Sequence, residues 1–153
     1  MKQIASFNVD HDRLEKGMYI SRIDGDVVTY DIRMKKPNGG DYLGTGAAHT
    51  FEHLFATLAR NSPLSDSVIY VGPMGCRTGF YFLVRDTVTH AQAIGLVRGC
   101  FARIAAWEGE IPGAVRAQCG NYRDQDLPGA RAVAADMCGV LENWTEEDLS
   151  YEA

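Results

Sequence analysis

Residues 47–60 carry two stripes of side chains that only an α-helix can pull apart. Phe51, Leu54, Phe55 and Leu58 recur at i, i+3, i+4 and i+7, the spacing that gathers apolar groups on one helical face. At ~100° per residue, His49, His53 and Arg60 project from the opposite face, with Glu52 on the flank between. A helix divided in this way needs an apolar layer beneath it. It also leaves two imidazoles, one turn apart, where both can grip one metal ion. Two ligands do not complete a site, so the rest of the chain must supply the layer and a third donor.

The layer is legible in the flanking segments. Residues 18–23 and 27–34 alternate as strands about a tight turn at Asp24-Gly25. In the second of these, Val28, Tyr30, Ile32 and Met34 share one face and Thr29, Asp31 and Arg33 the other. Residues 35–46, with several glycines and Pro37-Asn38, form a loop. The apolar runs 68–71 and 80–84 suit buried strands connected by residues 72–79. A helix over 88–107 turns Ile94, Val97, Phe101 and Ile104 to the core. Residues 115–122 read as a strand running into a loop. A last helix spans 127–141, capped by Asp126 with Pro128 in its first turn. The acidic segment 142–153 reads as a frayed tail. The expectation is one α+β domain over 1–153, a mostly antiparallel sheet packed against helices.

Composition narrows the partners. A formal net charge of −5 attracts neither nucleic acid nor an anionic membrane. No apolar run approaches the roughly 20 residues that cross a bilayer, and residues 1–11 lack the apolar core of a secretory signal. The expected location is the cytoplasm, where cysteines stay reduced. Cysteines stand at 76, 100, 119 and 138 without CxxC spacing. Cys100 and Cys138 lie in helical stretches and read as core. Cys76 and Cys119 lie in glycine-rich loops.

Zn²⁺ or Fe²⁺ held by two neutral imidazoles needs a third donor, and an open position if it is to be catalytic. Cys119, in Gln118-Cys119-Gly120-Asn121, is the best candidate, with Gly120 removing bulk where the backbone turns near an ion, although taken by itself it also reads as a core cysteine. Cys76 stands in Gly72-Pro73-Met74-Gly75-Cys76-Arg77-Thr78-Gly79. Successive amides and Arg77 favour a thiolate there, suited to a base or nucleophile, although a structural turn with an incidental cysteine gives the same string. His90 opens a helix and reads as surface. The role of His11 is not set by spacing.

Together these residues resemble the S-ribosylhomocysteine lyase family. The matching segments are Ser6-Phe7 with Asp10-His11, Tyr30-Asp31-Ile32-Arg33, Pro37-Asn38, His49 to Leu54 with Arg60, Pro73 to Tyr81, Gln118 to Tyr122, and Asp126-Leu127 with Gly129-Ala130. They run in the family's order from residue 6 to about residue 130. Two segments differ. Tyr70-Val71-Gly72 stands where the family often has an acidic residue, an aliphatic one and serine, and residues 12–22 keep mainly Tyr19 and Arg22. The resemblance implies His49, His53 and Cys119 as ligands of one divalent metal per subunit, Fe²⁺ with Zn²⁺ or Co²⁺ as substitutes. It implies Glu52 and Cys76 as the acid–base pair, Ser6, His11 and Arg33 as substrate-binding residues, and a homodimer with active sites at the subunit interface.

The implied reaction suits these residues. The substrate's thioether leaves from ribose C5 while its masked aldehyde is C1, so the carbonyl must first migrate to C3. Each migration passes through an enediolate, which divalent metals favour as Lewis acids, and each needs proton transfers. Two other readings compete. His-x-x-Glu-His is also an inverzincin metallopeptidase motif, and two histidines with a cysteine can belong to a structural zinc site, which usually closes with four protein ligands.

Overall fold

Alternation in the first third of the chain builds the hairpin from which the sheet grows. In the computed structural model, which describes residues 1–152, β1 (Gly17–Asp24) pairs antiparallel with β2 (Val27–Arg33). Asp24 lies opposite Val27, so the turn is Gly25-Asp26, one residue later than expected, with Gly25 at φ +58°. β3 (Val68–Pro73) and β4 (Gly79–Arg85) complete a four-stranded antiparallel sheet in the order β1-β2-β4-β3. The α+β expectation holds.

The core face of the sheet is Val28, Tyr30 and Ile32 on β2 with Phe80, Phe82 and Val84 on β4, all buried. Against it lies α1 (Thr45–Arg60), whose stripe Phe51, Leu54, Phe55 and Leu58 is buried as its spacing predicted. Phe51 sits 5.1 Å from the Phe80 ring and Phe55 5.5 Å from Phe82, and both reach Phe101 on α2 (His90–Ala105). Each such ring contributes roughly 1.5–3 kcal/mol by leaving water. α2 is shorter than the apolar pattern, because the Thr89–Gln92 capping box fixes its start. α3 (Leu127–Val140) packs on α1 and α2 through Ala130, Ala134 and Met137, with Asp126 accepting from the Gly129 N–H as its cap.

Three expectations fail. Residues 115–122 form turns, not a strand: the Gln118 and Cys119 amides both donate to the Val115 carbonyl, a helix-like hydrogen-bond pattern that closes the backbone on itself. The segment after α3 is docked rather than frayed. Trp144 donates its indole N–H to the Met18 carbonyl at 2.9 Å, Leu149 is buried, and Tyr151 stacks on Tyr19 at 5.1 Å. Its acidic composition concealed three large side chains at positions that meet β1. His90 is half-buried, bonded to the Tyr30 hydroxyl at 2.6 Å. Among the described residues no helix is long and apolar enough to cross a membrane.

Candidate metal centre and cysteine loop

The face of α1 opposite the core brings His49 and His53 together, and the turns of residues 112–126 fold over it to deliver Cys119. The two Nε2 atoms are 3.0 Å apart, and Cys119 Sγ lies 3.3 Å from His49 Nε2. One atom from each of the three residues falls within 4.8 Å of the others. Each ring is oriented from behind. His49 Nδ1 is 2.7 Å from the Asp124 carbonyl and His53 Nδ1 is 2.7 Å from the Pro112 carbonyl. A carbonyl can only accept, so each Nδ1 carries a proton and each ring turns its Nε2 to the centre, the tautomer that a metal-binding histidine uses.

Two imidazole nitrogens and a sulfur thus converge on one point. Tetrahedral ligands about 2.0–2.3 Å from an ion are themselves separated by little more than 3 Å. The donor set therefore fits one divalent metal held by three protein ligands with a position left open. Thr50 ties the covering loop down, donating to Gln125 Oε1 at 2.6 Å and accepting from the Asp126 amide at 2.9 Å. Gly113, at φ +73°, lies against His53, where a Cβ would come within 3.1 Å of Nδ1. Gly120 has open space around it, so no protein atom demands a glycine there. Glu52 is half-buried on the flank of α1, and its carboxylate has no hydrogen-bond or ion-pair partner among the described residues.

A second cluster occupies the sheet face turned away from α1. Asp31 and Arg33, two apart on β2, form an ion pair whose side chains are 2% and 3% exposed. Nε donates to Oδ1 at 3.1 Å and Nη2 to Oδ2 at 2.7 Å. Burial alone would push the guanidinium's pKa down, but the charge and hydrogen bonds of Asp31 outweigh it and hold it up. The free end, Nη1, donates to Thr78 Oγ1 at 2.7 Å and stands 3.9 Å from Cys76 Sγ. Cys76 is an exposed thiol in the β3–β4 loop, 3.0 Å from the Thr78 hydroxyl. Arg77, at φ +61°, makes the turn, and the Thr78 carbonyl accepts from the amides of Met34 and Lys35, seating the loop on the end of β2.

The structure thus gathers His49, His53 and Cys119 at one point and Arg33 with Cys76 at another. Ser6 and His11 join neither. Ser6 lies in a short 3-10 turn beside a hollow of about 340 Å³ lined also by Ser21, Tyr70 and Tyr81, and His11 Nδ1 bonds the Val9 carbonyl at 2.8 Å. Pro112, Asp124, Asp31 and Thr78 were missed as supports. Pro112 and Asp124 act through their backbone carbonyls, and a backbone carbonyl leaves no mark on composition.

The model of the S-Ribosylhomocysteinase (LuxS) family matches residues 4–148. The chain is 47% identical to the S-ribosylhomocysteine lyase of Phocaeicola vulgatus, over 99% of this chain and 98% of that protein. It is 44% identical to the S-ribosylhomocysteine lyase of Clostridium acetobutylicum and 45% to that of Porphyromonas gingivalis, each over 99% of both chains.

Proposed function

Because this chain belongs to the S-ribosylhomocysteinase (LuxS) family, we propose that it cleaves S-ribosylhomocysteine to homocysteine and 4,5-dihydroxy-2,3-pentanedione, the precursor of autoinducer-2. The observation that carries this reading is the pair of histidine Nε2 atoms meeting Cys119, on a chain that also presents a thiol facing a buried guanidinium. A bound divalent ion supplies Lewis acidity toward the sugar oxygens. We assign it as Fe²⁺, with Zn²⁺ or Co²⁺ able to replace it.

The chain's own residues then move protons. Cys76 takes a proton from one carbon of the sugar chain and returns it to the next, shifting the carbonyl from C1 to C2 and then to C3, with Glu52 serving the oxygens. With the ketone at C3, loss of the C4 proton expels the homocysteine sulfur from C5. The resulting enol at C4 becomes a ketone as C5 gains a proton and becomes a methyl group. Arg33 is assigned to a substrate oxygen through Nη1, the end that its bonds to Asp31 leave facing Cys76. Ser6 and His11 are assigned to substrate binding across a subunit boundary. In a single chain they stand apart from both clusters, and the nearby Ile4, Phe7 and Tyr70 expose large apolar surface suited to burial in a homodimer. The proposed location is the cytoplasm.

The metallopeptidase and structural-zinc readings are not favoured. The family match spans nearly the whole chain, the third donor is a cysteine sulfur, and the cluster among the described residues holds three donors rather than four. The test is release of free thiol from S-ribosylhomocysteine by purified protein, with and without chelator. No release from metal-loaded protein overturns the assignment.

A further inference from the structure

On the outer face of the sheet, the Asp31 carboxylate has a donor that belongs to neither cluster. Its Oδ2 accepts from Arg33 Nη2 at 2.7 Å and also from the Tyr151 hydroxyl at 2.7 Å. Resting on the assignment of Cys76 to proton transfer, we propose that Tyr151 is a positioning residue for the reaction. Its hydroxyl fixes Asp31, and through Asp31 the Arg33 guanidinium that faces Cys76, and so sets the reactivity of that thiol.

Geometry carries the linkage. The guanidinium is a rigid plane, so the end bonded to Asp31 cannot turn without moving Nη1 at the other end, between Thr78 Oγ1 and Cys76 Sγ. Asp31 and Arg33 are almost wholly buried, so water does not readily replace a lost donor. Without the phenol, the carboxylate draws more strongly on Arg33 and leaves less positive field at Sγ. Among the described residues, Tyr81 on β4, opposite Asp31, also lies near Cys76, and Arg77 follows it in the same loop. Arg77 turns its guanidinium to the Leu43 carbonyl and the Tyr42 ring.

Tyr151 is itself braced. Its ring stacks on Tyr19, which meets the Trp144 ring edge-on at 5.8 Å and donates its hydroxyl to the Glu15 carbonyl at 3.0 Å. Burial and the charge of Asp31 push the Tyr151 phenol's pKa far up, so it remains a donor at any working pH. A segment that merely covered the sheet edge would be served by Trp144 and Leu149. The stacked pair of tyrosines adds one directed proton.

The test is Tyr151→Phe in the full-length, metal-loaded protein, which keeps the stack and deletes the hydroxyl. Two quantities are read: the rate of Cys76 alkylation by iodoacetamide from about pH 6 to about pH 9, followed on the Cys76 peptide by mass spectrometry, and kcat and KM for thiol release. The expected result is alkylation slowed about three- to tenfold near neutral pH, with its rate–pH curve displaced to alkaline pH and kcat lowered more than KM is changed. A purely structural role lowers the melting temperature and leaves the Cys76 curve unmoved in folded molecules. Superimposable curves therefore overturn the proposal. Slower alkylation with undiminished thiol release upholds the Tyr151 linkage and overturns the assignment of Cys76 to proton transfer instead.

Discussion

Asp31→Ala strands a buried cation, and its cost follows from the burial of the pair. The guanidinium of Arg33 would keep its charge, because it cannot shed a proton at any accessible pH. Its Nε and Nη2 donors and the Tyr151 hydroxyl would all lose their acceptor. Removing one partner of a buried ion pair costs about 3–5 kcal/mol, against a whole-domain stability of about 5–15 kcal/mol. In a chain of this size that lowers the melting temperature by about 6–20 °C. Lys16 and Asp136 provide the control, since their 2.8 Å separation is close to the 2.7 Å of the buried pair but their side chains are 36% and 49% exposed. Lys16→Ala should cost no more than about 1 kcal/mol. Urea unfolding of both variants measures the difference. Protein concentration and metal loading must be fixed, because association and metal binding each raise apparent stability. A gap between the two variants below about 1 kcal/mol would refute the claim that burial, not distance, sets the energy.

His53→Ala and Cys119→Ala should each lose the metal, since two protein donors remain where three converge, and near-stoichiometric metal in both purified variants would sink the ligand assignment. Glu52→Gln should keep the metal and bind substrate while turnover falls about 10²–10⁴-fold; a rate within about tenfold of wild type contradicts a general-base role. Cys76→Ala should stay folded and metal-loaded yet fail to exchange the substrate's C2 proton with solvent by NMR, with Cys76→Asp recovering part of the activity; exchange at the wild-type rate removes Cys76 from the mechanism. Cys100 gives a pH prediction, because burial pushes its pKa up to about 11. The unfolded chain releases that proton first, so stability is full below about pH 9 and falls toward about pH 11, by roughly 2–3 kcal/mol. Under reductant, Cys100→Ala should flatten that decline in urea midpoint, and equal slopes in the two proteins would exclude it.

Much of this was legible because hydrophobic period and side-chain chemistry are written in the residues themselves. The stripe of α1 is a run of four apolar side chains, and once their face is fixed the histidines have nowhere to point but outward. β2 shows the same logic at period two, with Tyr30 and Ile32 inward and Asp31 and Arg33 opposite. Residues 115–122 resisted, because a stretch with few apolar side chains that turns back on its own carbonyls has no period to detect. The segment after α3 misled for the opposite reason. Its acids advertise solvent, while three separated side chains, Trp144, Leu149 and Tyr151, decide where it lies, and what they meet is the β1–β2 hairpin more than a hundred residues earlier.

The two clusters are assembled by one physical device from unrelated parts. At the metal centre each imidazole spends its Nδ1 proton on a backbone carbonyl, which fixes the tautomer and leaves Nε2 as a donor atom with nothing to rearrange when an ion arrives. At the cysteine loop, Arg33 spends Nε and Nη2 on Asp31, leaving Nη1 aimed at Thr78 and Cys76. In both, the working end is defined by what binds the far end of the same rigid plane. Rigid planes suit this use because a constraint at one edge is a constraint at the other, whereas a lysine stem would relax between its ends. The supports are therefore as necessary to the geometry as the groups they aim. Replacing Arg33 by lysine should disturb Cys76 more than its conserved charge suggests, because the ammonium cannot hold Asp31 and face Thr78 with one fixed plane.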